Sequence, residues 1–422
     1  MSEAKLSLRC VGCGRTFDPP ALHCTHCDGL LRPEYPTTTF DPGDRDDLFD
    51  YHDWLPSTAV IDTPVGPTVY RSERLADRLG LDDLVIAFNG YAPAVGATNP
   101  TGSFKDFEAL PTVLYYREHG ADALILASAG NTARAFAYAA TVLDFPVVLV
   151  VPGRAMRRLW LPRVASDAVR LVVIDGNDDY AFAIRAAGVI ADTLGIAPEG
   201  GARNVARRDG MGTAILEYAR RFGGLPMHYV QAIGSGTGGI ATWESAKRLL
   251  AAGVGSSLPT LHLAQNAPFT PIHDAWTAGA AIAPEQDVDG QLARIAEIDA
   301  LVLANRNPPY AIPGGVRDAL MDTGGSTYAV SNEDARGAAA LFLEAEGLPI
   351  GPASAVATAA MIEAVGAGRI RRDDATMLHI TGNNEMLLRR DCALHPLVPT
   401  VRLHPEEITA TRIETLRGAI LP

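Results

Sequence analysis

Short apolar runs alternate along most of this chain with longer segments of helical periodicity. The first half predicts strands at 85–89, 124–128 and 147–152 and helices at 105–119 and 131–143. The second half repeats the alternation, with predicted strands at 227–233, 261–265 and 377–380 and helices at 212–222, 238–252 and 353–365. Strands that alternate with helices are typical of parallel sheets covered on both faces. The pattern therefore predicts an α/β protein.

The segment before the first predicted strand follows a different pattern. Residues 1–33 contain two Cys-x2-Cys pairs, Cys10/Cys13 and Cys24/Cys27, with ten residues between them. This spacing is typical of a zinc ribbon, in which four thiolates complete a tetrahedral shell around a structural zinc. Two disulfides are the alternative interpretation. The Pro-, Asp- and Thr-rich stretch 33–67 that follows is interpreted as a wrapping linker.

Composition narrows the class of function. With 422 residues and 47% hydrophobic content, the chain can bury a large core spread over two or three domains. A formal net charge of -13 disfavours nucleic acid and anionic membranes as partners, because the long-range electrostatic force would be repulsive. The N-terminus lacks the apolar run of a signal peptide, and no stretch is long and apolar enough to cross a bilayer. We expect a cytoplasmic protein that acts on a small molecule.

The candidate chemistry is concentrated in turns. Lys105 stands at the entrance of a predicted helix, after the loop Asn99-Pro100-Thr101-Gly102-Ser103-Phe104. The positive end of the helix dipole favours the neutral amine, and a neutral amine is a nucleophile. A solvated surface lysine is the alternative interpretation at this point.

Three further loops follow predicted strands. Ser128-Ala129-Gly130-Asn131-Thr132 opens a helix and can bind an anion such as a carboxylate. Gly234-Ser235-Gly236-Thr237-Gly238-Gly239 offers backbone N–H groups and hydroxyls to a phosphate. The last predicted strand ends in Thr381-Gly382-Asn383-Asn384. The glycine-rich loop also matches the G-x-G-x-x-G fingerprint, so an NAD-binding oxidoreductase is an alternative, although no acidic residue ends the next predicted strand.

In this order, the four turns resemble those of fold-type II pyridoxal-phosphate enzymes, the group that includes tryptophan synthase beta and threonine synthase. The resemblance covers nearly the whole chain and implies two parallel-sheet lobes behind an N-terminal zinc ribbon. It implies a large cofactor-binding lobe made of residues 34–119 and 188–422, and a small mobile lobe at 120–187 that closes on the substrate. A homodimer is the assembly that the resemblance implies.

The same resemblance assigns roles to individual residues. Lys105 would carry pyridoxal 5'-phosphate as a Schiff base and act as the base at the substrate α carbon. Thr381 would face the pyridine nitrogen with a neutral hydroxyl, which makes the ring a weaker electron sink than a carboxylate would. The other cofactor ligands would be Asn131 at the 3-hydroxyl and Ser235, Gly236, Thr237, Gly238 and Gly239 at the phosphate. The substrate carboxylate would be held by Ser128, Gly130 and Thr132.

A phosphorylated substrate also needs cations. Arg154, Arg157 and Arg158 follow a predicted strand, and Arg134 lies one helical turn beyond the Asn131 loop. We predict that these four arginines bind the substrate, with a solvated arginine face as the alternative.

Two branches of the family share features with the chain. Asn99-Pro100-Thr101-Gly102-Ser103-Phe104-Lys105-Asp106 and the Cys-x2-Cys pairs are similar to threonine synthases, which convert O-phosphohomoserine to threonine. Tyr51-His52-Asp53-Trp54-Leu55-Pro56 and Phe88-Asn89-Gly90-Tyr91 are similar to cysteate synthases, which make cysteate from O-phosphoserine and sulfite. The second branch implies β-elimination and replacement through an aminoacrylate, with a small nucleophile as second substrate. Threonine synthesis, and a non-catalytic zinc-ribbon module, remain alternatives.

Overall fold

The computed structural model describes residues 5–128, 130–177, 179–282, 287–383 and 385–421. Ala129 and Asn384, which belong to two of the loops above, lie outside these ranges. The α-helices are Arg74–Leu79, Lys105–Glu118, Asn131–Leu143, Tyr180–Leu194, Val205–Phe222, Thr237–Ala251, Pro271–Thr277, Val288–Glu297, Val316–Asp322, Asn332–Glu346, Pro352–Gly366, Met386–Asp391, Ala410–Thr415 and Arg417–Ile420. The 3-10 helices are Leu48–Trp54, Pro93–Val95, Gly153–Arg158, Gly201–Arg203, Leu301–Leu303 and Pro405–Glu407.

A six-stranded sheet, called the first sheet below, forms the centre of the larger lobe. Its strand order is Ser326–Val330, Thr260–Asn266, His228–Ala232, Thr376–Ile380, Leu84–Phe88 and Val69–Arg71. All neighbours pair in parallel except Val69–Arg71, which closes one edge as an antiparallel strand. Alternate residues of Leu84–Phe88 pack into different apolar clusters, so helices cover the sheet on both faces.

A five-stranded parallel sheet, called the second sheet below, forms the smaller lobe. Its strand order is Ala197–Pro198, Leu124–Ala127, Val147–Pro152, Val169–Ile174 and Val401–Leu403. The two outer strands come from outside the expected range 120–187, and they have only two and three residues. Strands of two or three residues are too short to show a periodic pattern in the sequence. Their place in the sheet depends on pairing with distant residues. The closing motion of this lobe stays a prediction.

The predicted α/β alternation is confirmed, and the largest shift in a boundary has a local cause. The helix Asn131–Leu143 and the strand Val147–Pro152 have the predicted bounds. The helix predicted at 212–222 begins already at Val205, because the Asn204 side chain caps it by accepting from the Ala206 N–H at 2.9 Å. A Cβ added at Gly210 within that helix would collide with the Phe107 carbonyl, so the glycine serves close helix packing and does not break the helix.

Among the described residues, no helix combines the length and the apolarity needed to cross a bilayer.

The N-terminal segment folds as a small antiparallel ribbon with strand order Thr16–Phe17, Ser7–Cys10 and Leu31–Glu34. The ribbon docks on the larger lobe through an ion pair of 2.9 Å between Arg32 and Glu244. The Arg32 guanidinium also lies over the Trp243 ring, 4.3 Å from its centre. The ribbon is therefore fixed as a cap on the larger lobe.

The four ribbon cysteines converge on one point. Their sulfur atoms all lie within 4.8 Å of one another, and the Cys10–Cys27 and Cys13–Cys24 pairs are separated by 3.4 and 3.5 Å. A disulfide requires about 2.05 Å between sulfurs, so the disulfide alternative is wrong. Four thiolates about 2.3 Å from a central ion match the donor set and the spacing of a structural zinc.

We expect the purified protein to contain about one zinc per chain, because four converging thiolates form a closed tetrahedral site. Cys13→Ser should abolish that zinc and lower the melting temperature, since the small ribbon depends on the metal for its stability. Cys392→Ser is the matched control, because its thiol donates to the Leu388 carbonyl at 3.1 Å, away from the cluster. Elemental analysis that finds equal zinc in the wild type and in Cys13→Ser would contradict the assignment.

Candidate active site

The carboxyl ends of strands from both sheets face a common chamber. Its volume is about 900 Å³ including the open mouth. Each of the four predicted loops contributes to its wall, as expected for a ligand site at the carboxyl edge of parallel sheets. The predicted residues that line it are Lys105, Ser128, Gly130, Asn131, Thr132, Ser235, Gly236, Thr237, Gly238 and Thr381.

Lys105 is the first residue of the helix Lys105–Glu118, and its side chain is only 21% exposed. Its Nζ lies 3.2 Å from the Glu108 carboxylate and 4.7 Å from the centre of the Phe104 ring. Burial lowers the pKa of the Lys105 amine, and the Glu108 charge opposes that change. Lys105 is therefore enclosed beside the Glu108 carboxylate and is not a solvated surface lysine.

A buried ionic cluster continues from Lys105. Arg207 donates to both oxygens of Glu108, at 2.9 and 2.6 Å, and pairs with Glu199 at 2.8 Å. Although burial opposes it, the two carboxylates raise the pKa of Arg207. Arg207 also lies 3.4 Å from the Thr132 hydroxyl, so the cluster touches the loop expected to hold the substrate carboxylate.

The glycine-rich loop forms a cradle at the start of the helix Thr237–Ala251. Gly236 has a φ of 80°, and a Cβ added there would collide with Val316. The Ser235 and Thr237 hydroxyls lie 2.7 Å apart. Backbone N–H groups at this helix N-terminus suit a phosphate. Gly239 is not among the residues that line the chamber. A Cβ added there would stand 3.1 Å from Leu263, so the glycine packs closely against the first sheet, and its role as a phosphate ligand stays a prediction.

The loop at Ser128 begins the helix Asn131–Leu143. The Ser128 hydroxyl oxygen accepts from the N–H groups of Gly130 at 3.2 Å and Ala133 at 3.0 Å. These two bonds leave its own hydrogen free to be donated to an anion. The geometry thus suits a carboxylate at this helix end.

Thr381 directly follows the strand Thr376–Ile380 and is tied to the Lys105 loop. The Phe104 N–H donates to the Thr381 carbonyl at 3.0 Å, and the Asn383 N–H donates to the Gly102 carbonyl at 3.2 Å. The distance between the lysine and the threonine is therefore controlled by main-chain bonds. That rigidity suits two residues that contact the same bound ring.

A second cleft adjoins the chamber and shares Asn131 and Thr381 with it. Its volume is about 1530 Å³ including the open mouth. The predicted arginines Arg154, Arg157 and Arg158 line it from the 3-10 helix Gly153–Arg158. Its two acidic residues are each paired with an arginine, Asp299 with Arg336 and Glu385 with Arg389. The cleft therefore favours anions.

Arg134 also lines this second cleft, but its guanidinium is largely used within the protein. It donates to the Arg158 carbonyl at 3.0 Å, to the Thr101 carbonyl at 3.2 Å and to the Asn131 side chain at 2.8 Å. It lies over the Trp160 ring, and burial lowers its pKa to about 10. These contacts make Arg134 a positioning residue for Asn131, and its role as a substrate ligand stays a prediction.

Several residues of the site were missed in the sequence. Glu108 lies three positions after Lys105 on the same helix, and that spacing was a detectable signal for an ion pair. Arg207 and Glu199 carried no local signal, because only the tertiary fold brings them to Lys105.

A buried polar network under the chamber was missed as well. The His379 ring contacts the Asn89 amide at 2.9 Å and the Tyr229 hydroxyl at 2.6 Å. That hydroxyl donates at 3.2 Å to Gln231, which lines the chamber. Burial lowers the pKa of His379 to about 3, so the network is neutral at physiological pH.

The residues of the chamber fit pyridoxal phosphate as a group. The chamber brings together a buried amine, a glycine cradle at a helix N-terminus and a neutral hydroxyl, which are groups able to bind an aldehyde, a phosphate and a pyridine nitrogen. Residues 61–382 match the family described as "Pyridoxal-phosphate dependent enzyme". The fold and the site thus define a fold-type II pyridoxal-phosphate enzyme.

Comparison with solved structures shows the same fold. A pyridoxal 5'-phosphate-dependent aspartate racemase aligns with a TM-score of 0.58 at 16% identity, covering 76% of this chain and 92% of its own. Maize serine racemase aligns with a TM-score of 0.56 at 14% identity, covering 77% and 90%. At this identity the likeness concerns the fold alone.

Sequence relatives are much more similar. The cysteate synthase of Methanocella paludicola is 45% identical over 411 residues, which cover 96% of each chain. That of Methanosarcina acetivorans is 45% identical over 404 residues, covering 95% of this chain and 97% of its own. The chain belongs to the cysteate synthase family. The alternatives of an NAD-binding oxidoreductase and of a non-catalytic module are therefore wrong.

We expect Gly236→Ala to weaken cofactor binding at least tenfold, because the added Cβ would force a left-handed residue to strain and displace the loop from Val316. Titration of the apoprotein with pyridoxal phosphate, followed by absorbance, measures the change. Gly337→Ala is the matched control, since it lies within the helix Asn332–Glu346 with no neighbour within 4 Å of an added Cβ. Equal affinity in both variants would contradict the phosphate cradle.

Proposed function

We propose that this enzyme makes cysteate from O-phosphoserine and sulfite and releases phosphate. The relatives that cover almost the whole chain are cysteate synthases. The observation that carries the proposal is the arginine-lined cleft beside the Lys105 chamber. O-phosphoserine and sulfite are both anions, and a cationic cleft raises the local concentration of each.

The residues of the chamber have separate tasks in this proposal. Bound pyridoxal phosphate supplies an electron sink for the substrate α carbon. Lys105 accepts the α proton on Nζ, which lies in a site where burial favours the neutral amine. Ser128 and the helix end behind it orient the substrate carboxylate.

The arginine-lined cleft binds the phosphate end of the substrate in this proposal. Arg157 and Arg158 hold the phosphate as it leaves, because a guanidinium stabilises the charge that develops on the leaving oxygen. Burial and the neighbouring Arg154 lower the pKa of Arg158, and a bound anion reverses the second of these effects. Sulfite enters the same cationic cleft after phosphate has left.

The setting of the enzyme is part of the proposal. We infer that it works in the cytoplasm, because the ribbon thiols need a reducing compartment to remain metal ligands. We also propose a homodimer, the assembly that the family resemblance implies. Light scattering on the purified protein tests the second point.

We expect the enzyme to release phosphate from O-phosphoserine and to form cysteate when sulfite is added. A phosphate assay together with mass spectrometry of the product measures both. O-phosphohomoserine is the competing substrate to test in parallel. Formation of threonine from it, with O-phosphoserine inert, would overturn the proposal in favour of threonine synthesis.

The arginine cleft can be tested in the same assay. Arg157→Gln should raise the KM for O-phosphoserine about tenfold, because a charged hydrogen bond contributes about 1.5 kcal/mol or more. Arg74→Gln is the control, since Arg74 is exposed and lies outside both clefts. An unchanged KM in Arg157→Gln would remove this arginine from the binding site.

A further inference from the structure

We propose that Glu108, clamped by Arg207, is a positioning residue that fixes the Lys105 nitrogen and sustains its ability to hold a proton. The inference deepens the proposed function, because it explains how a buried lysine can act as a base. It rests on the attachment of the cofactor at Lys105 and does not depend on which amino acid is the substrate.

The first observation is the position of the carboxylate. Glu108 follows Lys105 by one turn of the same helix, and its side chain is 0% exposed. Its Oε2 lies 3.2 Å from Lys105 Nζ. A fully buried carboxylate beside a catalytic amine must be compensated by other groups, since an unpaired buried charge is costly.

The compensation comes from the clamp. Arg207 binds both oxygens of Glu108, so the carboxylate cannot rotate away from Lys105. Glu199 holds the other side of Arg207 and in turn accepts from the Asn204 amide at 3.2 Å. Asn204 also caps the helix Val205–Phe222. The orientation of Glu108 is thus fixed by the start of a long, packed helix.

The titratable groups around Lys105 come from three parts of the chain. Glu108 belongs to its own helix, Arg207 and Glu199 flank the start of the helix Val205–Phe222, and the Tyr180 hydroxyl lines the same chamber from the start of the helix Tyr180–Leu194. With Lys105 protonated, the cluster contains two cations and two carboxylates. Removal of the Glu108 charge leaves the cluster, with the protonated amine included, at one net positive charge, which disfavours the protonated form of Lys105.

This charge balance matters when Lys105 acts as a base. The α C–H bond of the substrate breaks, its electron pair stays on the substrate, and a new N–H bond forms at Nζ. The resulting ammonium lies beside the Glu108 carboxylate, which stabilises it. Burial lowers the pKa of Lys105 and so weakens it as a base, and the Glu108 charge opposes that change.

The test is a pH titration of the visible absorbance of the bound cofactor, which reports the protonation of the Lys105 nitrogen without any substrate. We expect Glu108→Gln to lower the pKa of this transition by about 1 to 3 units, because a carboxylate within hydrogen-bond distance is lost. Glu244→Gln is the matched control. Like Glu108, Glu244 is a buried carboxylate with two cationic partners, here Arg208 and Arg32, but it lies under the ribbon.

A second variant covers a failure to fold. Glu108→Asp keeps the charge and the pair with Arg207 but withdraws the carboxylate, so it should lower the same pKa by a smaller amount. If Glu108→Gln does not fold, Glu108→Asp decides alone. A pKa equal to that of the wild type in every variant that binds the cofactor, or an equal fall in Glu244→Gln, would overturn the proposal. Because no substrate is present, neither result depends on whether cysteate is the product.

Discussion

The need to bury an amine without leaving its charge unbalanced organises this molecule. A lysine that reacts with a carbonyl must be shielded from water, yet an isolated buried charge costs several kcal/mol. Lys105 meets both conditions because Glu108 is 3.2 Å away and Arg207 binds Glu108 in turn. The two helices that carry these residues pack closely at Gly210, where a larger residue would touch the Phe107 carbonyl. Close helix packing and charge balance therefore both fix the position of Lys105 relative to Glu108 and Arg207.

The two sheets contribute different parts of the site around Lys105. The first sheet ends at the glycine cradle and at Thr381, and main-chain bonds tie Thr381 to the Lys105 loop. In the second sheet, the strand Leu124–Ala127 leads to Ser128 and Asn131. The neighbouring strand Val147–Pro152 leads to the arginine-rich 3-10 helix. The glycine cradle thus belongs to the larger lobe, whereas the anion cleft is lined by both lobes and takes its arginines from the smaller one. Arg134 connects them, because it bonds to Asn131, to the Thr101 carbonyl and to the Arg158 carbonyl.

Sequence reasoning reached those parts of the site that are encoded locally. A turn such as 234–239 consists of residues that are adjacent in the chain, and a buried strand such as Val147–Pro152 is visible as an apolar run. The edge strands Ala197–Pro198 and Val401–Leu403 were not predictable, because they are defined by pairing with distant strands. Arg207 was missed for the same reason. The position of Arg134 one helical turn beyond Asn131 is visible in the sequence, but its three acceptors within the protein are not, because two of them lie far away in the chain.

The most direct test of the account is to reduce the yellow, cofactor-loaded protein with borohydride and to identify the modified residue by peptide mass spectrometry. Reduction converts the bond between lysine and cofactor into a stable secondary amine, so the site of attachment is recorded permanently. The account predicts a single phosphopyridoxyl group on Lys105, absent in Lys105→Ala. A colourless protein, or a label on another lysine such as Lys247, would contradict the assignment of Lys105 as the centre of the site.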